Sequence, residues 1–408
     1  MTVSWTPTTL GAICKFQAGD GFPKDLQGNE DGEHPVAKVS DMNLAGNELF
    51  IINANNWLSK KAVGQGFKLH PPGAVIFAKI GVALTSNRRR LLVRPTVIDN
   101  NMMSATCTKD IDPRWFYSLL STLDFNEISS GSALPFLTVR DLSRIPVSVP
   151  PLPEQRAIAA TLGALDDKIE LNRRMNETLE AMARALFRDW FVDFGPTRAK
   201  MAGTTPYLSP ALWSLFPDRL DDAGKPEGWE VGNMSDLFTL QRGFDLPSQK
   251  RREGLYPILA ASGPSGFHES YMVKGPGVTT GRSGVLGRVF FVHGDFWPLN
   301  TSLWVKEYKR ATPRYAYFFL NLIDLESFNA GSAVPTLNRN HIHGLPAVLS
   351  PQELIVAFDQ VAESLMARQR QNEIENETLA QTRDLLLPRL MSGELRVAVA
   401  GRAVEAVL

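Results

Sequence analysis

Four clusters of fixed positive charge lie along this 408-residue chain: Lys60-Lys61, Arg88-Arg89-Arg90, Lys250-Arg251-Arg252, and Arg282 with Arg288 on glycine-rich turns. Guanidinium and ammonium groups of this kind neutralise backbone phosphates. A few Arg, Asn, Gln or Ser side chains beside them then read base edges. The competing reading is solvated surface, the usual fate of a charge run. The first two clusters and the last two fall in different stretches of the chain, as two readers of different sequences would require.

Other chemistry is sparse. The sequence has no GxxxxGK[ST] phosphate loop and no GxGxxG between a strand and a helix. It also has no His/Cys cluster at zinc spacing, no PD…ExK set of a nuclease and no NPPY stretch of an amino-methyltransferase. His341-x-His343 would put two imidazoles on one face of a strand, but no third ligand is near, so no metal site is expected. Asp166-Asp167 reads as a solvated helix face, and Ser132 and Ser332 read as turn or cap residues. No catalytic residue is expected.

Bulk properties fit a soluble protein of two to three domains, with 44% hydrophobic and 21% charged residues. The 43 basic and 43 acidic side chains cancel. Residues 1–150 carry 15 basic and 13 acidic groups, and residues 201–350 carry 14 and 13. Nucleic-acid binding therefore requires positive charge gathered on one face. No apolar run reaches the ~18 residues of a membrane span. The opening MTVSWTPTTLGAICKF does not read as a secretory leader. Cys14 and Cys107 are far apart in sequence and match no redox or metal spacing, which fits a cytoplasmic location.

The elements that would position these charges occur twice. GSALPFLTVRDLSRIP (131–146) returns as GSAVPTLNRNHIHGLP (331–346), identical at six positions. PRWFYSLL (113–120) faces PRYAYFFL (313–320), and NETL occurs at 176–179 and 376–379. Each copy ends in a helical pattern. In the first, Ile158, Leu162, Leu165, Ile169, Asn172, Asn176, Leu179, Ala183, Leu186 and Trp190 follow one another at alternating steps of four and three. In the second, Phe358, Val361, Leu365, Arg368, Asn372, Glu375, Leu379, Thr382 and Leu386 do likewise. Both seams turn polar at the middle. Either each helix lies on its own domain, or the two pair and the buried amides fix their register. Some forty residues of helix span roughly 60 Å. Ser350-Pro351-Gln352-Glu353 reads as a capped start, Gly195-Pro196 as the stop of the first helix, and Pro388 as an end or kink of the second. The apolar cluster Trp190-Phe191-Val192-Asp193-Phe194 is expected at a domain or subunit junction.

The preceding stretches read as α+β. Strands are expected near 12–17, 36–40, 49–52, 74–80 and 91–98, with a helix near 113–123. In the second copy they are expected near 237–241, 256–260, 277–280, 286–293 and 301–306, with a helix near 313–323. The expected domains are 1–150, a helix at 151–195, a loose connector with the second domain at 196–350, a helix at 351–397 and a tail at 398–408.

GSAxPxLxxxxLxxIP running into PLPEQRAI (151–158) and a long heptad helix resembles the specificity subunit of type I restriction–modification enzymes. So do WFVDFGPTRAK (190–200), LFPD (215–218), PEGWE (226–230) and LLPRLMSGEL (386–395). The resemblance spans about residues 5–397, and it departs at the second helix start, SPQELI in place of PLPEQ. It implies two similar α/β target recognition domains joined by two long antiparallel coiled-coil helices with pseudo-two-fold character. Each domain would read one half of a split site in double-stranded DNA. Two modification (methyltransferase) subunits, using S-adenosylmethionine, and two restriction subunits, using ATP and Mg2+, would dock on this frame. The chain itself would be non-catalytic, the helices acting as spacers. The alternatives are a bipartite protein-binding scaffold without DNA specificity and a single-chain enzyme carrying its own catalytic motifs.

Overall fold

The computed structural model describes residues 5–64, 66–131 and 134–408. Two compact units divide the chain. One holds Met1–Asn176 with Arg370–Leu408, the other Glu177–Gln369.

In the first unit, strand Thr6–Thr9 pairs antiparallel with Pro146–Val149, so the α/β domain is closed where its chain enters and leaves. Its larger sheet runs Cys14–Ala18, Met102–Cys107, Val75–Ala78, Arg89–Leu92, Phe50–Ile51; neighbours are antiparallel except the last pair. A smaller sheet has His34–Ala37 at its centre, antiparallel to Trp57–Leu58 and parallel to Val97–Ile98. The second unit repeats this topology. Glu230–Asn233 pairs with Pro346–Leu349. The larger sheet runs Phe238–Arg242, Ser302–Tyr308, Gly277–Gly281, Val289–Val292, without the fifth strand. In the smaller sheet Tyr256–Ala260 is antiparallel to Gly263–His268 and parallel to Trp297–Pro298. The repeat read from sixteen residues is thus a repeat of strand order and sense.

Met102–Cys107 and Gly263–His268 were not expected as strands. The first is an inner strand buried at both faces over its first four residues, so it lacks the alternation that marks a half-buried strand. It also places Cys107 directly opposite Cys14. The two cysteines, remote in sequence, are cross-strand neighbours, both free thiols. Burial pushes Cys14 up to about 12, so it stays protonated.

Each domain rests on a helix that the repeat marked. Asp112 caps Pro113–Ser121 by accepting from the Arg114 and Trp115 amides, and Thr312 caps Pro313–Leu322 through Tyr315. Trp115, Phe116 and Leu120 then pack against Ile158, Leu162, Leu165 and Ile169 of the first long helix (Leu152–Phe191). Leu379, Leu386 and Leu390 of the second (Gln352–Met391) join the same core. In the second unit, Tyr315 and Phe318 meet Phe187, Trp190 and Phe191 from the first helix and Ile355, Phe358 and Ala362 from the second. The two readings of the helices are therefore both realised: each lies on an α/β domain and pairs with the other.

The pairing is antiparallel in each unit. In the first, Asp166 meets Arg383 at 2.8 Å, Lys168 meets Glu375 at 3.2 Å, and the Asn172 amide donates to Glu375 at 2.9 Å and Asn376 at 3.0 Å. Asn372 donates to Asn176 at 2.7 Å. Asn172 and Asn372 are fully buried and occupy equivalent places in the repeat. In the second unit, Gln369 reaches Glu180 at 3.4 Å and Phe187 meets Phe358 with ring centroids 5.3 Å apart. Asp166 is accordingly turned into the pairing, its carboxyl raised by burial, and is not on a solvated face. Of the expected seam, Leu179, Leu186, Val361 and Leu365 are only partly buried, and Arg368 is exposed. Ile355, Ala362 and Met366 take the buried positions instead. That half of the helix packs on an α/β domain and on its partner helix, so its buried face is not the narrow heptad seam. Replacing Asn372 by alanine removes the bond it donates to Asn176 and is expected to cost the first unit about 0.5–1.5 kcal/mol in denaturant melts. A loss near zero would show that the amides do not hold the register.

The helix ends differ from expectation. The first stops at Phe191; Phe194 adopts a left-handed conformation (φ 54°), and Gly195-Pro196 opens a new helix, Gly195–Met201. The second runs on past Pro388 to Met391, because only its last turn loses a bond there, and Gly393 (φ 75°) ends it. Its start is not capped by Ser350, whose hydroxyl makes no bond to the helix; the Pro351 carbonyl accepts from Leu354 and Ile355. The connector contains helices Gly195–Met201 and Pro210–Trp213 and sends Phe216 and Trp229 into the second core. The segment expected as a tail holds helix Val397–Glu405, with Ala400 and Val404 in the first core.

Where the helices start, the departure noted in the sequence is visible. Gln155 is buried, accepting from the Asp112 amide (2.9 Å) and donating to the Pro150 carbonyl (2.9 Å). Its counterpart Ile355 is wholly buried among apolar side chains. One helix is tied on by hydrogen bonds, the other by packing.

The GSAxP turns act as backbone locks. Pro135 accepts from the Gly81 amide at 2.8 Å, and Pro335 from Gly284 at 2.9 Å. Leu137 donates to the Lys79 carbonyl, and Leu337 to the Arg282 carbonyl, both at 2.8 Å. In each unit the turn thus grips the chain leaving an inner strand of the large sheet. Gly131 sits at φ 90° with the Leu134 carbonyl where a Cβ would point, which explains the glycine. Ser132 lies outside the described residues; Ser332 is exposed on its turn.

Candidate nucleic-acid interface

Several exposed lysines and arginines lie on or beside the two smaller sheets. In the first unit, Ser59 caps a short helix that displays Lys60 and Lys61, both exposed, beside strand Trp57–Leu58. Arg94, also exposed, lies over the Trp57 ring at 5.6 Å, and Lys38 over Phe22 at 5.3 Å. Neither was singled out from the sequence. The signal was a tryptophan in each copy, Trp57 and Trp297, on strands too short to show periodicity.

In the second unit, the hairpin of Tyr256–Ala260 and Gly263–His268 collects residues from two clusters. Arg251 donates to the Ser265 carbonyl at 3.2 Å and Arg288 to the Ser262 carbonyl at 3.5 Å. Arg252 pairs with Glu269 at 3.1 Å, and Lys250 is exposed. Arg282 stands apart on the large sheet, bonded to the Asn300 carbonyl at 3.0 Å. Asn300 bonds Asp245, which pairs with Arg242 at 3.5 Å, so Arg242, not singled out from the sequence, joins Arg282 as a candidate.

The Arg88–Arg90 run is not brought to the small sheet. Strand alternation turns Arg89 inward: it is 4% exposed, donates to the Asn87 and Leu123 carbonyls and lies over Phe125 at 4.0 Å. Its assignment to DNA is corrected; it is a structural residue. Arg90 is half-buried on the Met42 carbonyl at 2.9 Å, and Arg88 is exposed. The histidine pair sits on a short helix, Arg339–His343, not a strand. His343 accepts from the Leu240 amide at 2.9 Å and is lowered by burial, as a structural imidazole is. Among the described residues no group of three His, Cys, Asp or Glu side chains could hold a metal ion.

Two α/β domains of one topology, each with exposed lysine or arginine side chains at its small sheet and its own lock and helix, match a known family. The family described as "Type I restriction modification DNA specificity domain" covers residues 2–181 and 226–376, one stretch per domain. The chain belongs to this family of type I specificity subunits. It is 24% identical to the "Type I restriction enzyme HindI specificity subunit" of Haemophilus influenzae, over 88% of this chain and 97% of that protein. It is 23% identical to the "Type I restriction enzyme MjaIX specificity subunit" of Methanocaldococcus jannaschii, over 88% and 86%. The crystal structure of the type I restriction–modification S subunit from M. genitalium shares the fold, with a TM-score of 0.55, 16% identity and coverage of 95% and 96%. The chain is thus a specificity subunit of this family, with two target recognition domains, and no helix among its described residues is long and apolar enough to cross a membrane.

Proposed function

We propose that this specificity subunit binds a bipartite site in double-stranded DNA, one half-site to each target recognition domain. It scaffolds two methyltransferase and two restriction subunits, which carry S-adenosylmethionine, ATP and Mg2+, and holds no catalytic centre of its own. It works in the cytoplasm. The observation that carries this reading is the shared topology of the two domains combined with different charges on their small sheets: Lys60, Lys61 and Arg94 on one, Lys250, Arg251, Arg252 and Arg288 on the other. Equal frames with unequal surfaces are what two independent readings need.

Exchanging residues 1–150 for the corresponding domain of another family member is expected to change one half of the methylated sequence and leave the other unaltered, as read by mapping adenine methylation. A changed sequence in both halves would show that the domains do not read independently. A protein scaffold without DNA specificity would leave the methylated sequence as it was.

A further inference from the structure

The first unit encloses a half-open cavity of about 440 Å3 between the Arg88–Arg90 run, the helix Pro113–Ser121 and the paired long helices. The repeat shows how it arises. Ser118 faces the cavity, whereas its counterpart Phe318 is buried, with Phe187 and Phe358 centroids at 6.1 and 5.7 Å. Leu387 lines the cavity where the second unit has Phe187. Rings fill in one copy the position that the other leaves open.

Its charges are unevenly matched. The carboxylates in its walls are held by arginines of the helices: Asp166 and Asp384 by Arg383 at 2.8 Å each, Glu170 by Arg174 at 2.8 Å, Glu48 by Arg173 at 3.5 Å. The opposite wall has no such partner among the described residues. Arg89 and Arg90 donate only to neutral backbone carbonyls, and the Nε–H of each makes no hydrogen bond. Arg89 is more than nine-tenths buried. A cation sunk in a wall without an ion pair is disfavoured, and burial lowers Arg89 to about 10 even with Asp124 nearby.

We propose that this cavity binds a small organic anion of nucleoside-monophosphate size, its phosphate against Arg88 and Arg90, with Arg89 buried behind them, and its body on Leu162, Ile169 and Leu387. Guanidinium forks match phosphate oxygens, and a phosphate would supply the direct ion pair that this wall lacks. The volume falls within the ~300–1,000 Å3 of small-molecule sites, more than a bare phosphate needs. Duplex DNA is too wide to enter it. Because the cavity lies between the target recognition domain and the helices of the same unit, an occupant would brace that junction.

Calorimetric titration of the full chain with AMP, adenosine and pyrophosphate tests this. AMP is expected to bind, and adenosine at least about tenfold more weakly, because it lacks the charge. Ser118→Phe, which copies the second unit, should abolish AMP binding while circular dichroism and melting stay as in the parent. Arg88→Ala, at an exposed position, should weaken AMP about tenfold or more. Leu387→Phe serves if Ser118→Phe does not fold. No heat from AMP at millimolar concentration, or binding unmoved by the filling and charge variants, overturns the proposal. So does an oligonucleotide that binds through Arg88 where AMP does not, since that would assign the arginines to DNA.

Discussion

Trp190→Ala is expected to cost the second unit about 3–5 kcal/mol, the range for removing a buried tryptophan. Trp190 is 1% exposed, with Phe216, Phe358 and Phe191 centroids at 5.2, 6.1 and 6.2 Å. Phe191 and Phe194 continue the same core onto Trp229, while Val192 and Asp193 face solvent. The aromatic end of the first helix is therefore used within its own unit. Amide exchange gives the readout: protection should collapse along Pro313–Leu322 and hold along Pro113–Ser121. Equal loss in both helices would mean that the units unfold as one cooperative body.

Charge reversal on the small sheets carries the largest functional effect. Lys60→Glu with Lys61→Glu, and separately Lys250→Glu with Arg288→Glu, each replace exposed cations whose heads can reach phosphate. Each pair is expected to lower DNA affinity roughly tenfold to a hundredfold near 0.1 M salt, and the slope of log affinity against log salt by about two. Arg89→Met is the contrast: it should reduce stability and leave the slope alone, because its guanidinium is committed to carbonyls inside the domain. An unchanged slope in both surface pairs would remove the small sheets from the DNA-binding face.

Much of this architecture was legible where local pattern and tertiary demand coincide. The seam of the first helix from Ile158 to Asn176 is buried or half-buried at every step, because a heptad records directly which side faces a partner. The helices Pro113–Ser121 and Pro313–Leu322 were legible from their proline starts and aromatic faces. The small sheets were legible only in part: strands near 36–40, 91–98 and 256–260 were expected, whereas Trp57–Leu58 and Trp297–Pro298 hold two residues each and exist only through their pairing. Arg88–Arg90 misled for a related reason: a run of one charge type hides the strand's alternation, which separates an exposed arginine from a buried one. The interruption at Asn172 and Asn372 could be read as paired amides, whereas the partner of Asp166 could not, because Arg383 lies on the far repeat.

The division of the chain into units has a consequence for how the molecule is made. The second unit is a single continuous stretch ending at Gln369, whereas the first is completed only by Arg370–Leu408. Leu379, Leu386, Leu390, Ala400 and Val404 fill a core whose other half, around Trp115 and Ile158, left the ribosome long before. At ~5–20 residues per second that wait is roughly 10–50 s. The first unit is thus begun before the second and completed after it, its apolar underside uncovered in the nascent chain until Arg370–Leu408 follow. A premature stop shortly after residue 370 would accordingly damage the earliest-synthesised half of the protein and spare the half beside the break.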